Sequence, residues 1–470
     1  MQKKYNLLLL LISALLLIEA SAHAQQVLPK VWSDTSGAAW FTKTGHGVRS
    51  AVYNPVTKHL LVVSKDAGSN IVIINAATGD SLGKMDMTGV SGGIYNLNIA
   101  GVSQDGKIFL GNLQTTTSAA NPFKLYMWAN ESAAPKVVFK DSVTASRQGD
   151  ALTVVGTGAN TYVYVSGNAA GSKLQVLKYV NDSTTTLVKT LTLPSTYTGV
   201  LSIGPETNGW GPFWINKPGM PLVRMDTTGA ITDTVNTGVV PSAWATVKYV
   251  NFYNHKYVLV TNSTVFPQRG YVVDVTKGGS NAFIAAMTPG LGSTANPNGT
   301  GDMEWSAADS TIYALATNNS FGAYKFKTPS VKVTFLANIA TVPDTLKPNS
   351  IVQVRGGSAS LTWGDDTQGN MTNIGGDYWQ YSAGFPVGET FGYKYVTKTN
   401  AAAGTGWEND INQWGNGNRQ LVVGQNDTTI ALEFVNGSPN QQAQFWKPYT
   451  PSQDSIAVMF RVNMQNEENF

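Results

Sequence analysis

Four tryptophans, Trp363, Trp379, Trp407 and Trp414, stand close together near the C-terminal end of the 470-residue chain, interleaved with Tyr378, Tyr381, Tyr393 and Tyr395. A sugar ring has an apolar face of C–H groups and a belt of hydroxyls. A site for it therefore wants a rigid aromatic plate and a few fixed hydrogen-bonding groups, and tryptophan supplies the plate with an N–H at its edge. The same rings suit a hydrophobic core, because large aromatics are mostly buried on average. Local context divides them. Tyr393 and Tyr395 alternate with Lys394, so in a strand the two rings share one face and the lysine takes the other. Trp407 and Trp414 lie among Gly404, Gly406, Asn409, Asn412, Gly415, Asn416 and Gly417, a composition that marks an exposed loop.

The run Phe391-Gly392-Tyr393-Lys394-Tyr395-Val396, followed by Trp407-Glu408 and then Asn418-Arg419, resembles the C-terminal half of a starch-binding-type carbohydrate-binding module. The resemblance implies an immunoglobulin-like β-sandwich. It also implies a glucan site built from a tryptophan in an early turn, the lysine of the Tyr-Lys strand and the tryptophan of the Trp-Glu loop. The matching positions are Trp363, in Leu361-Thr362-Trp363-Gly364-Asp365-Asp366, then Lys394 and Trp407, with Glu408 and Asn418 also carried over as sugar contacts. The chain departs from the family's pattern in residues 409–417, an insert between Glu408 and Asn418 that carries Trp414. Trp414 either replaces Trp407 as the platform or adds a second plate.

The N-terminus reads as a secretory leader over residues 1–24: Lys3 and Lys4, an apolar core from Leu7 to Ile18, and the small-residue pattern Ala22-His23-Ala24. Cleavage is expected near Ala24. The apolar run is too short for a lasting membrane span. The chain has no cysteine, which excludes a lipoprotein anchor and disulfides and leaves burial and hydrogen bonding to stabilise an exported protein. The formal charge of +3 falls to +2 once Lys3, Lys4 and Glu19 leave with the leader. Such a surface argues against nucleic acid, which calls for a clustered basic stripe. The expected location is secreted or cell-surface.

With 42% hydrophobic and 13% charged residues and 47 glycines, the chain is globular, turn-rich and poor in helical patterns. Runs such as His59-Leu60-Leu61-Val62-Val63-Ser64 and Thr161-Tyr162-Val163-Tyr164-Val165, bounded by Gly, Asn, Asp and Pro, read as strands of an all-β protein. A similar unit recurs over residues 48–88, 94–140, 149–193, 199–235, 244–288 and 301–327, each about the length of a four-stranded propeller blade. Asn121-Pro122-Phe123-Lys124-Leu125-Tyr126-Met127-Trp128-Ala129-Asn130-Glu131 and Arg147-Gln148-Gly149-Asp150 resemble an uncharacterised family of secreted bacterial β-propellers. The sixth unit is short by a strand, which the segment from Val31-Trp32 onward is expected to supply, closing a six-bladed ring. Seven blades is the alternative count.

The expected fold is thus a six-bladed β-propeller over 25–327, a linker at 328–330 and the starch-binding-like sandwich over 331–452. Val458, Phe460 and Asn463 repeat Val333, Phe335 and Asn338, so 453–470 reads as the start of a second, truncated module. A missing C-terminal part is then expected to carry any cell-surface association.

Catalytic signatures are scarce. His46, His59 and His255 form no spaced pair of metal ligands, and His59 and His255 read as exposed turn residues. The acidic pairs Asp302–Glu304, Asp365–Asp366 and Glu408–Asp410 read as turn caps and solvated carboxylates, because glycosidase carboxylates face each other across a substrate. Arg49, Arg147, Asp150, Arg224 and the run from Gly301 to Trp305 fall near unit starts, where inner strands would present charge to an axis; Arg147 with Asp150 reads first as a structural ion pair. No catalytic residue, metal site or cofactor is expected. These features favour a secreted glycan-binding protein that holds α-glucan or a related polysaccharide, with the propeller as scaffold or second recognition surface. The alternative is a polysaccharide-acting enzyme whose active site lies in the propeller channel.

Overall fold

A computed structural model describes residues 26–434 except 35–37, 42–44, 67, 117–119, 142–146, 170, 200–201, 218, 240–244, 253–254, 328–329, 340–349, 359, 365–366, 399–405, 409–416, 425 and 432. The leader, Trp414 and the segment 453–470 lie outside the described residues. The fold is all-β: the helices among the described residues are three single 3-10 turns. The chain divides into two compact units, one ending at Phe326 and the other beginning at Lys327.

The first unit is a succession of small antiparallel sheets, and each of the six recurrent units contains one. The first sheet runs Val48–Asn54, His59–Ser64, Asn70–Asn75, Ser81–Lys84 in chain order, and the next three repeat this simple meander. The fifth, whose inner strand is Lys248–Phe252, gains Gln26–Val27 as a parallel neighbour of Phe283–Met287. The sixth has three strands of its own, Gly301–Ser306, Thr311–Ala316 and Ser320–Lys325. Its fourth is Lys30–Asp34, antiparallel to Ser320–Lys325, as the short sixth unit had suggested.

Continuous apolar runs, rather than alternation, mark strands buried on both faces. Here Leu60 and Val62 enter the cluster shared with Tyr313 and Phe321 of the sixth sheet, while Leu61 and Val63 enter the one shared with Leu110 and Trp128 of the second. The remaining clusters join the second sheet to the third, the third to the fourth, the fourth to the fifth and the fifth to the sixth. The order therefore returns to its start.

The second unit is a two-layered sandwich. One sheet is centred on Ser330–Asn338 and Tyr378–Pro386, the other on Ile351–Gly356 and Thr390–Lys398. Alternate residues of both, Val333, Phe335 and Ala337 from the first, Val352, Val354, Tyr393 and Tyr395 from the second, meet in one core.

Candidate functional sites

The alternation that sends Tyr393 and Tyr395 into the sandwich core places Lys394 and Val396 on the opposite face of their strand. Arg355 pairs in register with Lys394, Gln353 with Val396, and Trp407 with Val396 from the other side. Lys394, Arg355 and Trp407 therefore lie on one face. The Trp363 ring, from the early turn, comes to 6.1 Å from the Trp407 ring, centroid to centroid, with 44° between their planes. Both residues remain open, at 41% and 40% exposure. The Arg355 guanidinium sits 5.2 Å above Trp407, in range for a cation–π contact. Its Nε and Nη2 donate to Gln353 Oε1 at 2.8 and 2.5 Å, and Gln353 Nε2 donates to Asn370 Oδ1 at 2.6 Å. This ladder fixes the floor of the tryptophan pair. Arg355 was missed in the sequence, although Gln353-Val354-Arg355 already alternates polar with apolar. Asn418 is half-buried, with its Nδ2 3.4 Å from where a Cβ on Gly392 would stand.

Glu408 does not join this face. Its carboxylate is fully buried and takes Arg419 Nε and Nη2 at 3.1 and 2.9 Å together with the Tyr395 backbone N–H at 2.9 Å. The expected sugar contact is corrected to a structural ion pair: all its acceptor capacity is turned inward, where an unpaired carboxylate would be costly.

The second cluster lies in the first unit. Lys248 Nζ bonds both oxygens of Glu304 at 2.8 and 2.9 Å, and Ser50 Oγ donates to Asp302 Oδ2 at 2.8 Å. Asp302 and Glu304, two apart on Gly301–Ser306, share one face. They line an inner cavity of about 50 Å³ together with residues from the first strands of the other five sheets. Glu304 and Lys248 also line an outer cavity of about 740 Å³, whose wall includes Tyr53, Tyr249 and Trp305. Burial, with the Glu304 charge beside it, pushes the Asp302 carboxyl up to about 7. Burial likewise raises Glu304, against the pull of Lys248. The reading of this pair as solvated turn caps is thus overturned; a strand with alternate residues facing an axis looks, in sequence, like any half-exposed strand.

Other charged residues divide similarly. Arg147 holds Asp150 through two bonds of 2.6 and 2.7 Å. Arg224 is on the third strand of the fourth sheet, not an inner one, and clamps Glu206 at 2.7 and 2.8 Å. His255 is buried rather than a free turn residue: its Nδ1 is 2.8 Å from Asp274 Oδ2 and its ring stacks on Tyr257. Among the described residues no group of three His, Cys, Asp or Glu is placed to hold a metal ion, and no helix is long and apolar enough to cross a membrane.

Residues 44–286, slightly more than half of the chain, match the family described as Domain of unknown function (DUF4623). The chain belongs to the DUF4623 family. The crystal structure of a DUF4623 family protein from Bacteroides eggerthii is 18% identical and superposes with a TM-score of 0.50, over 64% of this chain and 77% of that one; at that identity the likeness is one of fold. The WD40 beta propeller domain of Doa1 (14% identity, 60% and 79% of the two chains, TM-score 0.39) and the family 15 glucoamylase from Hypocrea jecorina (19%, 24% and 18%, TM-score 0.19) are more distant. No curated protein matches the chain. The DUF4623 match falls within the first unit, so the tryptophan face of the second unit lies outside the stretch that defines the family.

Proposed function

We propose that the protein is a secreted glycan-binding protein: a closed six-bladed propeller followed by a starch-binding-like module that holds α-glucan or a related polysaccharide. The propeller reading is supported by the return of the inter-sheet cores from the sixth sheet to the first and by the N-terminal strand at the sixth sheet. The observation that carries the function is the Trp363–Trp407 pair, two open rings 6.1 Å apart with their planes inclined by 44°. Two plates at an angle suit a ligand whose successive rings are themselves inclined, as in the curved α-glucan chain. A flat β-1,4-linked ribbon would need plates nearly coplanar. Lys394 and Arg355 lie buried on the same face, at 9% and 1% exposure, and back the rings from beneath. The test is titration of the mature chain and its Trp363→Ala and Trp407→Ala variants with soluble starch, cyclic α-glucans and cello-oligosaccharides. Preferential α-glucan binding that both variants lose supports the reading; equal binding of every glucan by all three proteins removes it.

A second reading, a polysaccharide-acting enzyme, is favoured by one observation. Two carboxyls on one strand face, both pushed up by burial and one of them, Glu304, paired with Lys248, are of the perturbed kind that acid–base chemistry uses. Release of new reducing ends from starch, abolished in Glu304→Gln, would establish it. Absence of release from α- and β-glucans alike leaves the binding protein.

A further inference from the structure

The first strands of the fifth, sixth and first sheets carry Tyr249, Trp305 and Tyr53, all three half-buried and all three on the wall of the outer cavity of about 740 Å³. They belong to successive seams. Tyr249 packs against the core between the fourth and fifth sheets, Trp305 against that between the fifth and sixth, and Tyr53 against that between the sixth and first. Toward the second and third sheets the wall is aliphatic, with Val102, Val154 and Val155. Ser306 Oγ donates to the Tyr53 hydroxyl at 3.2 Å. The Tyr249 hydroxyl and the Trp305 Nε1–H make no hydrogen bond among the described residues, and neither atom is sealed from solvent. Half-buried rings of this kind ordinarily satisfy their polar tips. The partner left to each tip is a molecule outside the protein, water or ligand.

The cavity is blind inward and open sideways. Inward it meets the inner cavity of about 50 Å³ at Lys248 and Glu304, which line both; that is room for a water or two and too little for a sugar ring. Sideways, Tyr53, Lys58, Ser306 and Ala308 also line a groove of about 330 Å³ formed by residues of the first and sixth sheets. The outer cavity alone lies within the range of about 300–1,000 Å³ that small-ligand sites occupy. Its charges balance. Glu206 is taken by Arg224, Glu304 by Lys248 and His59 by Glu131, while Lys58 and Asp309, which have no ion-pair partner among the described residues, are opposite in sign. An ionic ligand finds no net counter-charge here. A neutral molecule with apolar ring faces and many hydroxyls finds aromatic walls, an O–H and an N–H.

We propose that the outer cavity and its groove form a second saccharide site, in the first unit and separate from the tryptophan face, which holds the end of a neutral polysaccharide chain. The terminal ring lies among Tyr249, Trp305 and Tyr53, because nothing larger than water passes further inward, and the units before it leave along the groove past Ala308. That the ligand is a sugar rests on the glycan reading above; the site does not require that the chain be cleaved.

The experiment uses the mature full-length chain and its Trp363→Ala/Trp407→Ala double variant, in which the tryptophan face is removed. Both are titrated by calorimetry with maltotetraose, cellotetraose, laminaritetraose and tetragalacturonate. The double variant is expected to keep one site for at least one neutral tetrasaccharide. Adding Ala308→Trp, which fills the junction of cavity and groove from an exposed position, should abolish that binding and leave the melt unchanged. Adding Tyr249→Phe, which removes only the hydroxyl, should weaken it about fivefold, as loss of one hydrogen bond does. Binding by the double variant that survives both additions undiminished overturns the site, and a preference for tetragalacturonate over every neutral probe overturns its ligand class. Parent binding that vanishes in the double variant overturns this site and leaves the proposed function. Binding that the double variant keeps at the parent's stoichiometry and affinity, and loses with Ala308→Trp, keeps this site and removes the tryptophan face. No binding of any probe by any of the proteins overturns both.

Discussion

Arg419 closes on Glu408 from the core side of the strand whose other side carries Lys394: it pairs in register with Tyr393, and its guanidinium carbon stands 5.4 Å from the Tyr395 ring centre. The pair is sealed from solvent on both partners. Removing one member of such a pair strands the other charge in a low-dielectric interior. Arg419→Met should therefore cost the second unit about 3–5 kcal/mol, seen as an earlier transition in denaturant. Glu408→Gln, which keeps an acceptor for the Tyr395 N–H but strands a guanidinium that cannot shed its proton, should cost at least as much. Equal stability of Arg419→Met and parent would mean that the carboxylate is solvated.

Asp302 gives the first unit a pH dependence of definite sign. Its folded carboxyl is raised to about 7, above the usual value near 3.9 of an unfolded aspartate. The folded state therefore binds the proton more tightly, and this group's contribution is fully present at acid pH. It is lost as pH rises from about 4 through about 7. Glu304, Lys248 and the Ser50 hydroxyl face it from three strands, and Lys248 keeps the pair from carrying two uncompensated charges. Asp302→Asn should flatten the fall in melting temperature between pH 5 and 8 and leave the variant the more stable protein at pH 8. A parent melt that does not fall over this range would place the aspartate in water.

The seam between the sixth sheet and the first hangs on a tryptophan outside the recurrent units. Trp32, on Lys30–Asp34, donates its Nε1–H to the Ala76 carbonyl at 2.9 Å and meets Phe321 edge-on at 5.4 Å, so one side chain ties the sixth sheet to the first. Gly79, at a positive φ of 84°, lets it approach: a Cβ there would lie 2.8 Å from the ring. Trp32→Ala should cost about 3–5 kcal/mol. Gly79→Ala should destabilise the same seam by steric contact and by backbone strain. Trp32→Phe, which keeps the ring and loses the donor, should fall between parent and Trp32→Ala. Thermal melts of the three variants check the order.

The sequence carried the sheets and units well, because each four-stranded meander is local and its turns are written in Asn, Asp, Gly and Pro. Strands such as Leu60 to Val63 even announced burial on both faces. What each charge does was much less legible. Glu408 and Asn418 sit in one motif, yet one is sealed against Arg419 and the other lies beside Gly392, because strand register and not spacing decides which face a residue takes. Asp302 looked solvated for a related reason. Only the convergence of inner strands far apart in sequence brings its partners to it, as Ser50, its donor from the first sheet, illustrates. Arg355 became visible only through its register with Lys394.

Trp363 and Trp407 should behave as one site. A plate that stacks on a sugar ring is the kind of central, rigid contact whose truncation costs about 2 kcal/mol, which is about thirtyfold in dissociation constant. Both rings are open, and neither belongs to the sandwich core, so Trp363→Ala and Trp407→Ala should each weaken α-glucan binding by that order while leaving the melt unchanged. Each touches the other at 6.1 Å, so the two losses are not independent: a ligand spanning both plates loses the benefit of the second once the first is gone. The double variant should fall short of the summed single losses by a coupling of about 0.5–1 kcal/mol. Full additivity would assign the rings to separate ligands. A short α-glucan occupying a single ring should show no coupling, whereas one long enough to bridge the inclined plates should show all of it, so the chain length at which coupling appears measures the site.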